Sequence, residues 1–508
     1  MTQQSFSTFL QRYQDRLHTL FLEVYTPEDA TIRKVPEELL TEVLNEQPLS
    51  VFIPTQHGGR GQDVAESLAM LEASSYESLA LSLTMGINGA LFLQPLSKYG
   101  DPQVQSRIFR AFLEDNAIGG LMITEPDFGS EALSMRTSFK STPDGYHIKG
   151  MKHWGGLTGR ADYWLLTARG VTGRGTPGDP DLERAISFFL WEQEFGGIEV
   201  EEYYRNLGLY MIPYGLNNVD TVVPEVNRLN TKAGGVRMLL DLLHRSRMQF
   251  PGMAMGFLRR LRDETVTHVQ NRFIGGKALF TYDQVQDRLS VIQAYCTTCA
   301  AMCAHTSAVA GVDSDCSPRA LEANVIKTVI TDMMQGAAQS AMQLFGGMGY
   351  RLDSIVGRAV VDSRPFQIFE GSNDILYQQI TEAVLKAMAK VKEFNLAAFL
   401  KDFHLSSQAV AYVKENTNFS IDLSLSQRKM VELGRILGRI MSLNMVLVLQ
   451  ENGYVKEHID GAIAVLRRQI TGLLATFSDT AAVTLSEDSL FQGQTEAGLW
   501  IPHISPSL

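Results

Sequence analysis

The chain has 508 residues, 45% hydrophobic and 20% charged, and a formal net charge of −11 from 45 basic and 56 acidic side chains. That length exceeds what one core organises, so several subdomains are expected, and the composition is that of an ordinary globular protein. The acidic balance excludes the basic surface that non-specific nucleic-acid or anionic-membrane binding requires.

The N-terminal stretch MTQQSFSTFLQRYQDRLHTLF has no basic segment leading into an apolar one, and no run of about eighteen apolar residues follows anywhere. The expectation is a cytoplasmic protein without an integral membrane segment. Four cysteines make no disulfide framework at this size. Cys296, Cys299 and Cys303 share a helical face, but one straight helix cannot wrap four ligands round an ion, so no metal is expected.

Residues 1–121 read as an N-terminal helical domain, with Leu17, Leu20 and Phe21, then Leu39, Leu40, Val43 and Leu44, at helical spacing. The segment from Pro54 to Gly61, rich in glycine, reads as a plain turn because no strand precedes it and no helix directly follows. From 122 to 232 the period becomes two. Strand-like runs at 136–140 and 146–149 flank the turn Pro143-Asp144-Gly145, others lie at 163–167, 186–191, 198–200 and 219–223, and the loop Gly173 to Pro180 lies between two of them. This is a small, barrel-like β domain.

Residues 233–395 are helical again, over about 236–270, 282–312, 318–345 and 373–393, and read as a C-terminal four-helix bundle. Ser317 and Pro318 supply an N-cap and first helical position for the third helix, with Leu321, Val325, Val329, Met333 and Ala337 on one stripe. Residues 396–508 form a helical extension with two amphipathic segments, 430–449 and 459–474. Leu433, Ile436, Leu437, Ile440 and Leu443 make the apolar face of the first, and Arg435 and Arg439 fall on its polar side. Mixed charge favours packing on the parent protein over a membrane surface. The fold class is therefore mostly α with a β middle domain.

The stretch Gln343 to Tyr377 carries the chemistry. It holds a glycine turn, Gly346-Gly347-Met348-Gly349, and then Glu370 between Phe369 and Gly371. Apolar neighbours raise a carboxyl pKa by desolvation toward the range of a working base, and glycine lets a ligand approach the backbone. The order Gln343-x-x-Gly-Gly-x-Gly-Tyr350, Arg358, Asp362, Arg364, Ile368-Phe369-Glu370-Gly371-Ser372-Asn373-Asp374-Ile375 resembles the signature of the acyl-CoA dehydrogenase flavoenzymes.

That resemblance implies FAD as cofactor, an acyl-CoA thioester as substrate and Glu370 as the base that removes its α-proton. It implies flavin contacts for Met122, Thr124 and Ser130, from Met122-Ile-Thr-Glu-Pro-Asp-Phe-Gly-Ser130, and for Trp154 and Gly156, where the family usually has a hydroxyl in place of Gly156. It implies cofactor roles for Gln343, Gly346, Gly347, Ser372 and Asp374, and substrate contacts for Ser130, Arg247 and Gly371. Arg247 and Arg272, 25 residues apart, match one arginine beside the base and one that reaches the FAD pyrophosphate of a neighbouring subunit. Arginine suits pyrophosphate because its planar fork donates parallel hydrogen bonds.

Some branches of the family take their base from the position of Ser246, which carries no carboxylate here. Ser372 and Asp374 stand where a threonine and a longer polar side chain are usual, and Phe273 to Lys277 departs from the usual Arg-x-x-Phe-Gly. The resemblance further implies an electron-transfer flavoprotein as electron acceptor and a homodimer sharing FAD across its interface. An oxidase or a monooxygenase on the same fold, or a scaffold protein docking through the extension, are the alternative readings.

Overall fold

The computed structural model describes residues 4–23, 25, 36–129, 131–170, 186–230 and 234–478. The chain opens with helices α1 (Phe6–Glu23) and α2 (Glu37–Asn45), followed by α3 (Val64–Glu77), α4 (Leu79–Asn88), α5 (Gln94–Tyr99) and α6 (Pro102–Glu114). Short polar side chains set their starts. Asp63, Ser78 and Asp101 accept from the backbone N–H of Glu66, Leu81 and Gln103, satisfying donors that the helix leaves orphaned.

Among the described residues one helical stretch, Leu79–Tyr99, is long and apolar enough by composition to cross a membrane, and 94% of its most apolar eighteen-residue window is buried inside the protein. Between α2 and α3 the amides of Gly58, Gly59, Arg60 and Gly61 all donate to carbonyls of residues 50–55. The segment from Pro54 to Gly61 is thus a plain turn whose donors are spent internally.

The β domain is one sheet of seven strands: β1 (Gly119–Met122), β2 (Ser138–Thr142), β3 (Gly145–His153), β4 (Tyr163–Gly170), β5 (Ile186–Glu192), β6 (Ile198–Tyr203) and β7 (Gly215–Val223). Their order is β1-β4-β2-β3-β7-β6, with β5 also on β4. β2 and β3 form the expected hairpin, closing on the Thr142–Gly145 pair. β7 alternates inside and outside, as a half-covered strand should, whereas β5 is buried along its whole length. The loop from Gly173 to Pro180 and Ser130 lie outside the described residues.

After the sheet come α7 (Gly235–Asn271), a two-residue ribbon of β8 (Phe273–Ile274) and β9 (Lys277–Ala278), α8 (Asp283–Val309), α9 (Ala320–Phe345), α10 (Ile355–Ser363) and α11 (Asn373–Val391). The expected helical spans hold except at two ends, where α8 stops at Val309 rather than 312 and α9 starts late. α9 begins at Ala320, not Pro318, because the Ser317 N–H is drawn into a turn by the Asp315 carboxylate at 2.9 Å. The extension adds α12 (Leu396–Asp402), α13 (Val410–Thr417), α14 (Gln427–Glu451) and α15 (Lys456–Ser478).

α14 lies on α9 and α11, so α9 is buried on every face from Glu322 to Thr331, not along a single stripe. Gly434 and Gly438 make the approach close. A Cβ at Gly434 would stand 2.1 Å from the Tyr377 carbonyl oxygen. The Arg358–Asp362 pair on α10 ties the β domain to the bundle, since Asp362 also accepts from the Leu209 N–H at 2.6 Å. Cys296, Cys299 and Cys316 are buried thiols, and no cluster of metal-ligating side chains occurs among the described residues.

Candidate active site

Glu370 sits at the apex of the loop joining α10 to α11, with a left-handed backbone, φ +54°, that non-glycine residues rarely adopt. Such a conformation costs about 1–3 kcal/mol and survives only where neighbours enforce it. They do. Arg247, on the buried face of α7, donates through Nε to the Glu370 carbonyl at 2.9 Å and through Nη1 to Asn324 Oδ1 at 2.8 Å. Lys327 of α9 donates to the Gly371 carbonyl at 2.8 Å and to Asn373 Oδ1 at 2.9 Å. Gly371 has φ +93°, and a Cβ there would press on Leu376 and the Arg247 guanidinium.

The carboxylate itself is held by one bond: Ser246 Oγ donates to Oε1 at 2.8 Å, while Oε2 has no partner among the described residues. Burial raises the Glu370 pKa; the Ser246 hydrogen bond, Arg247 and Lys327 pull against it, and the carboxyl stays above its usual range. The same desolvation pushes Lys327 down to about 7 against the pull of Glu370. Glu370 lines a narrow, largely apolar cleft whose walls include Leu71, Leu83, Ile87, Phe250 and Met253. A carboxyl so placed, with its pKa raised, has the chemistry that a general base requires.

The β domain supplies the neighbouring surface. Met122 is buried and its carbonyl is taken by Thr167. The Thr124 carbonyl receives the His153 N–H at 3.0 Å, which brings the end of β3 against the end of β1. Trp154 follows directly, with φ +55°, its indole 50% exposed and tilted on Tyr204 at 4.7 Å and Tyr214 at 5.8 Å. It is an aromatic platform on the surface, not a core residue. At Gly156 a Cβ would lie 2.6 Å from Ile87 Cδ1. Ile87 therefore fills the place where the family usually carries a hydroxyl, and because it also lines the Glu370 cleft it joins the two surfaces.

The remaining predicted residues divide. Ser372 caps α11 without using its hydroxyl, so that group is uncommitted; Asp374 is exposed and bonded to Arg435 of α14 at 3.0 Å. Gln343, Gly346 and Gly347 lie exposed at the far end of α9, beside exposed Arg272 at the end of α7, where His268 stacks on Phe345 at 4.0 Å. A Cβ at Gly346 or Gly347 would meet nothing. Their backbone is open to a ligand.

Sequence reasoning missed Lys327, Asn324 and Asp332, and it misplaced Arg439. The extension's Arg435 does lie at the surface, but Arg439 is largely buried, its guanidinium bonded to Asp332 Oδ2 at 2.9 Å and to the Tyr377 hydroxyl. Lys327 and Asn324 fall on the side of α9 away from the Leu321–Val325–Val329–Met333 stripe, so helical periodicity gave no signal for either.

These surfaces fit a flavin: an exposed aromatic platform, an open glycine turn, a serine hydroxyl with no cap bond and an exposed arginine. The chain matches the family models for the acyl-CoA dehydrogenase N-terminal domain over residues 10–115, middle domain over 120–221 and C-terminal domain over 233–385. It is 24% identical over 507 residues to the very long-chain specific mitochondrial acyl-CoA dehydrogenase of Mus musculus, spanning 96% of this chain and 76% of that one. It is 24% identical over 345 residues to an acyl-CoA dehydrogenase of Bacillus subtilis, 67% of this chain and 87% of that one. Its fold matches a Bacillus anthracis acyl-CoA dehydrogenase complexed with FAD, TM-score 0.74 at 16% identity, over 94% of this chain and 88% of that one. Matched along helical, β and helical domains alike, the chain belongs to the acyl-CoA dehydrogenase family of FAD-dependent oxidoreductases.

Proposed function

We propose that this enzyme converts an acyl-CoA to its trans-2-enoyl-CoA with Glu370 as the base. The observation that carries the reading is the unpartnered Oε2 of a carboxyl whose pKa is raised, at the wall of an apolar cleft. FAD, when bound, supplies the acceptor for the β-hydrogen as hydride. The chain does the rest. Glu370 Oε2 takes the α-proton, and the Ser246 hydroxyl keeps Oε1 fixed so that the second oxygen faces the substrate.

The α-C–H bond of a thioester is a weak acid, so negative charge developing on the thioester oxygen needs donors set in place. The Glu370 N–H, which has no acceptor among the described residues, is well placed for that oxygen. Arg247 acts on the Glu370 carbonyl and thereby holds that N–H in position. Thr124, Trp154 and Ser372 would hold the isoalloxazine end of FAD, and Arg272, Gln343, Gly346 and Gly347 the other end, contributed to the partner copy in a homodimer. Asp374 is spent on Arg435 and contributes position only. An electron-transfer flavoprotein is the proposed acceptor of the electrons.

The test is anaerobic titration of the flavoprotein with saturated acyl-CoAs of increasing length, followed by oxygen. Bleaching of the flavin by some length, abolished in Glu370→Gln with FAD retained, is expected. Bleaching that persists in that variant would move the base elsewhere, and rapid reoxidation by oxygen would make the enzyme an oxidase.

A further inference from the structure

We propose that Arg439, on the C-terminal extension, is a positioning residue for the catalytic loop: it neutralises the carboxylate that clamps both ends of the loop carrying Glu370. The inference rests on Glu370 being the base. The clamp is Asp332 of α9. Its Oδ1 accepts from Gln367 Nε2 at 2.8 Å, before Glu370 in the chain, and from Asn373 Nδ2 at 2.8 Å, after it. One oxygen thus ties together the two feet of a loop whose apex carries the left-handed Glu370.

The other oxygen is held from the far side. Oδ2 accepts from the Tyr377 hydroxyl at 2.7 Å and from Arg439 Nη2 at 2.9 Å, and Arg439 also donates to the Tyr377 oxygen. Burial works against the Asp332 charge, but Arg439 together with the Tyr377 and Gln367 hydrogen bonds outweighs it and holds the carboxyl below its usual range. Without Arg439 this partly buried carboxylate would lose its charged partner. It would then take up a proton or move toward water, and either change withdraws acceptor capacity from Gln367 and Asn373.

Asn373 passes the effect inward, since its Oδ1 receives Lys327 Nζ, the group that also holds the Gly371 carbonyl. The arginine arrives from outside the bundle only because Gly434 and Gly438 let α14 press against Tyr377. A second tie, Arg435 to Asp374, fixes the same helix to the start of α11 at the surface. The extension therefore reaches the active site through a continuous chain of polar contacts while touching neither the cleft nor the base.

The experiment compares Arg439→Gln, Arg439→Lys and the double variant Arg439→Gln/Asp332→Asn with wild type as full-length holoenzymes. In Arg439→Gln, kcat is expected to fall about tenfold to a hundredfold, the scale of a small misplacement of a reacting group, with KM changed by less than about twofold. Hydrogen–deuterium exchange across residues 364–376 should speed up in the same variant. Lysine should recover part of both. The double variant should recover more, because an amide at position 332 still accepts from Gln367 and Asn373 without needing a counter-charge.

Wild-type kcat and unchanged exchange in Arg439→Gln would overturn the proposal, as would a double variant no better than the single one. If Arg439→Gln does not fold, the lysine and double variants decide by the same criteria. Glu370→Gln run alongside separates the failures: turnover surviving in it removes the base assignment, while the exchange data still read the clamp.

Discussion

The Glu370 loop and the Gly346–Gly347 turn come from the same short stretch of sequence, yet they are built on opposite terms. Around Glu370 the carbonyls of residues 370 and 371 are each claimed by a buried cation, and the loop's feet share one carboxylate. Around the glycine turn large apolar side chains stand in the open: Met348 is 62% exposed, Tyr350 85%, and Phe273, on the adjacent ribbon, 65%. A base must be preorganised by its own chain because its geometry sets the rate. Large apolar side chains left open at one end of the bundle set that end apart from the closed, internally bonded Glu370 loop.

The first way to break that comparison is to remove the inner anchor. Arg247→Ala takes away the donor to the Glu370 carbonyl and the partner of Asn324, and leaves Glu370 without its nearest positive charge. Loss of a buried, charged donor with two acceptors should cost about 3 kcal/mol in urea unfolding at unchanged m-value. A loss under about 0.5 kcal/mol, the range of ordinary surface substitutions, would mean that the loop holds its shape without this clamp.

A smaller effect sharpens the electrostatics. Ser246→Ala removes the hydrogen bond that favours the ionised carboxylate, so the already raised Glu370 pKa should rise further, by about half a unit to one unit for a bond worth about 1 kcal/mol. The alkaline-rising limb of the kcat profile then moves to higher pH. The sign for stability follows. The folded carboxyl holds its proton more tightly than the unfolded one, so stability declines as pH rises from the ordinary carboxylate range through the raised value. The variant should widen that window. A limb that stays put or moves to lower pH would assign the limb to another group.

Much of this was legible in the sequence, and the parts that were not share a cause. Helical spans in the bundle and the β2–β3 hairpin follow from local signals, periodicity and a Pro-Asp-Gly turn, whereas Glu370 stood out through the order of the residues around it more than through its immediate neighbours. Arg439 was misplaced because periodicity sorts residues by face and cannot see that its partner, Asp332, lies 107 positions away. Ser317 had the composition of an N-cap, but a competing acceptor two residues earlier won its N–H. Leu321 opens the predicted apolar stripe of α9, yet α9 is buried on every side from Glu322 to Thr331 because α14 packs on it. In each case a tertiary partner decided between local options of similar energy.

Arg272→Ala is the smallest change predicted for the isolated fold and the most informative about the outer half of the comparison. Arg272 closes α7, with its N–H satisfied by the His268 carbonyl at 2.9 Å and its side chain exposed. Removing an exposed guanidinium leaves the helix, the His268–Phe345 stack and the ribbon intact, so the apoprotein should keep its stability to within about 0.5 kcal/mol. If the side chain serves pyrophosphate across a dimer, the rise in Tm that FAD confers should shrink, because stabilisation by a ligand follows its affinity for the folded state. Light scattering should report the same mass as for wild type. An apoprotein destabilised as strongly as Arg247→Ala would give Arg272 a role inside its own chain, and an undiminished response to FAD would leave the exposed end of the bundle without a cofactor to hold.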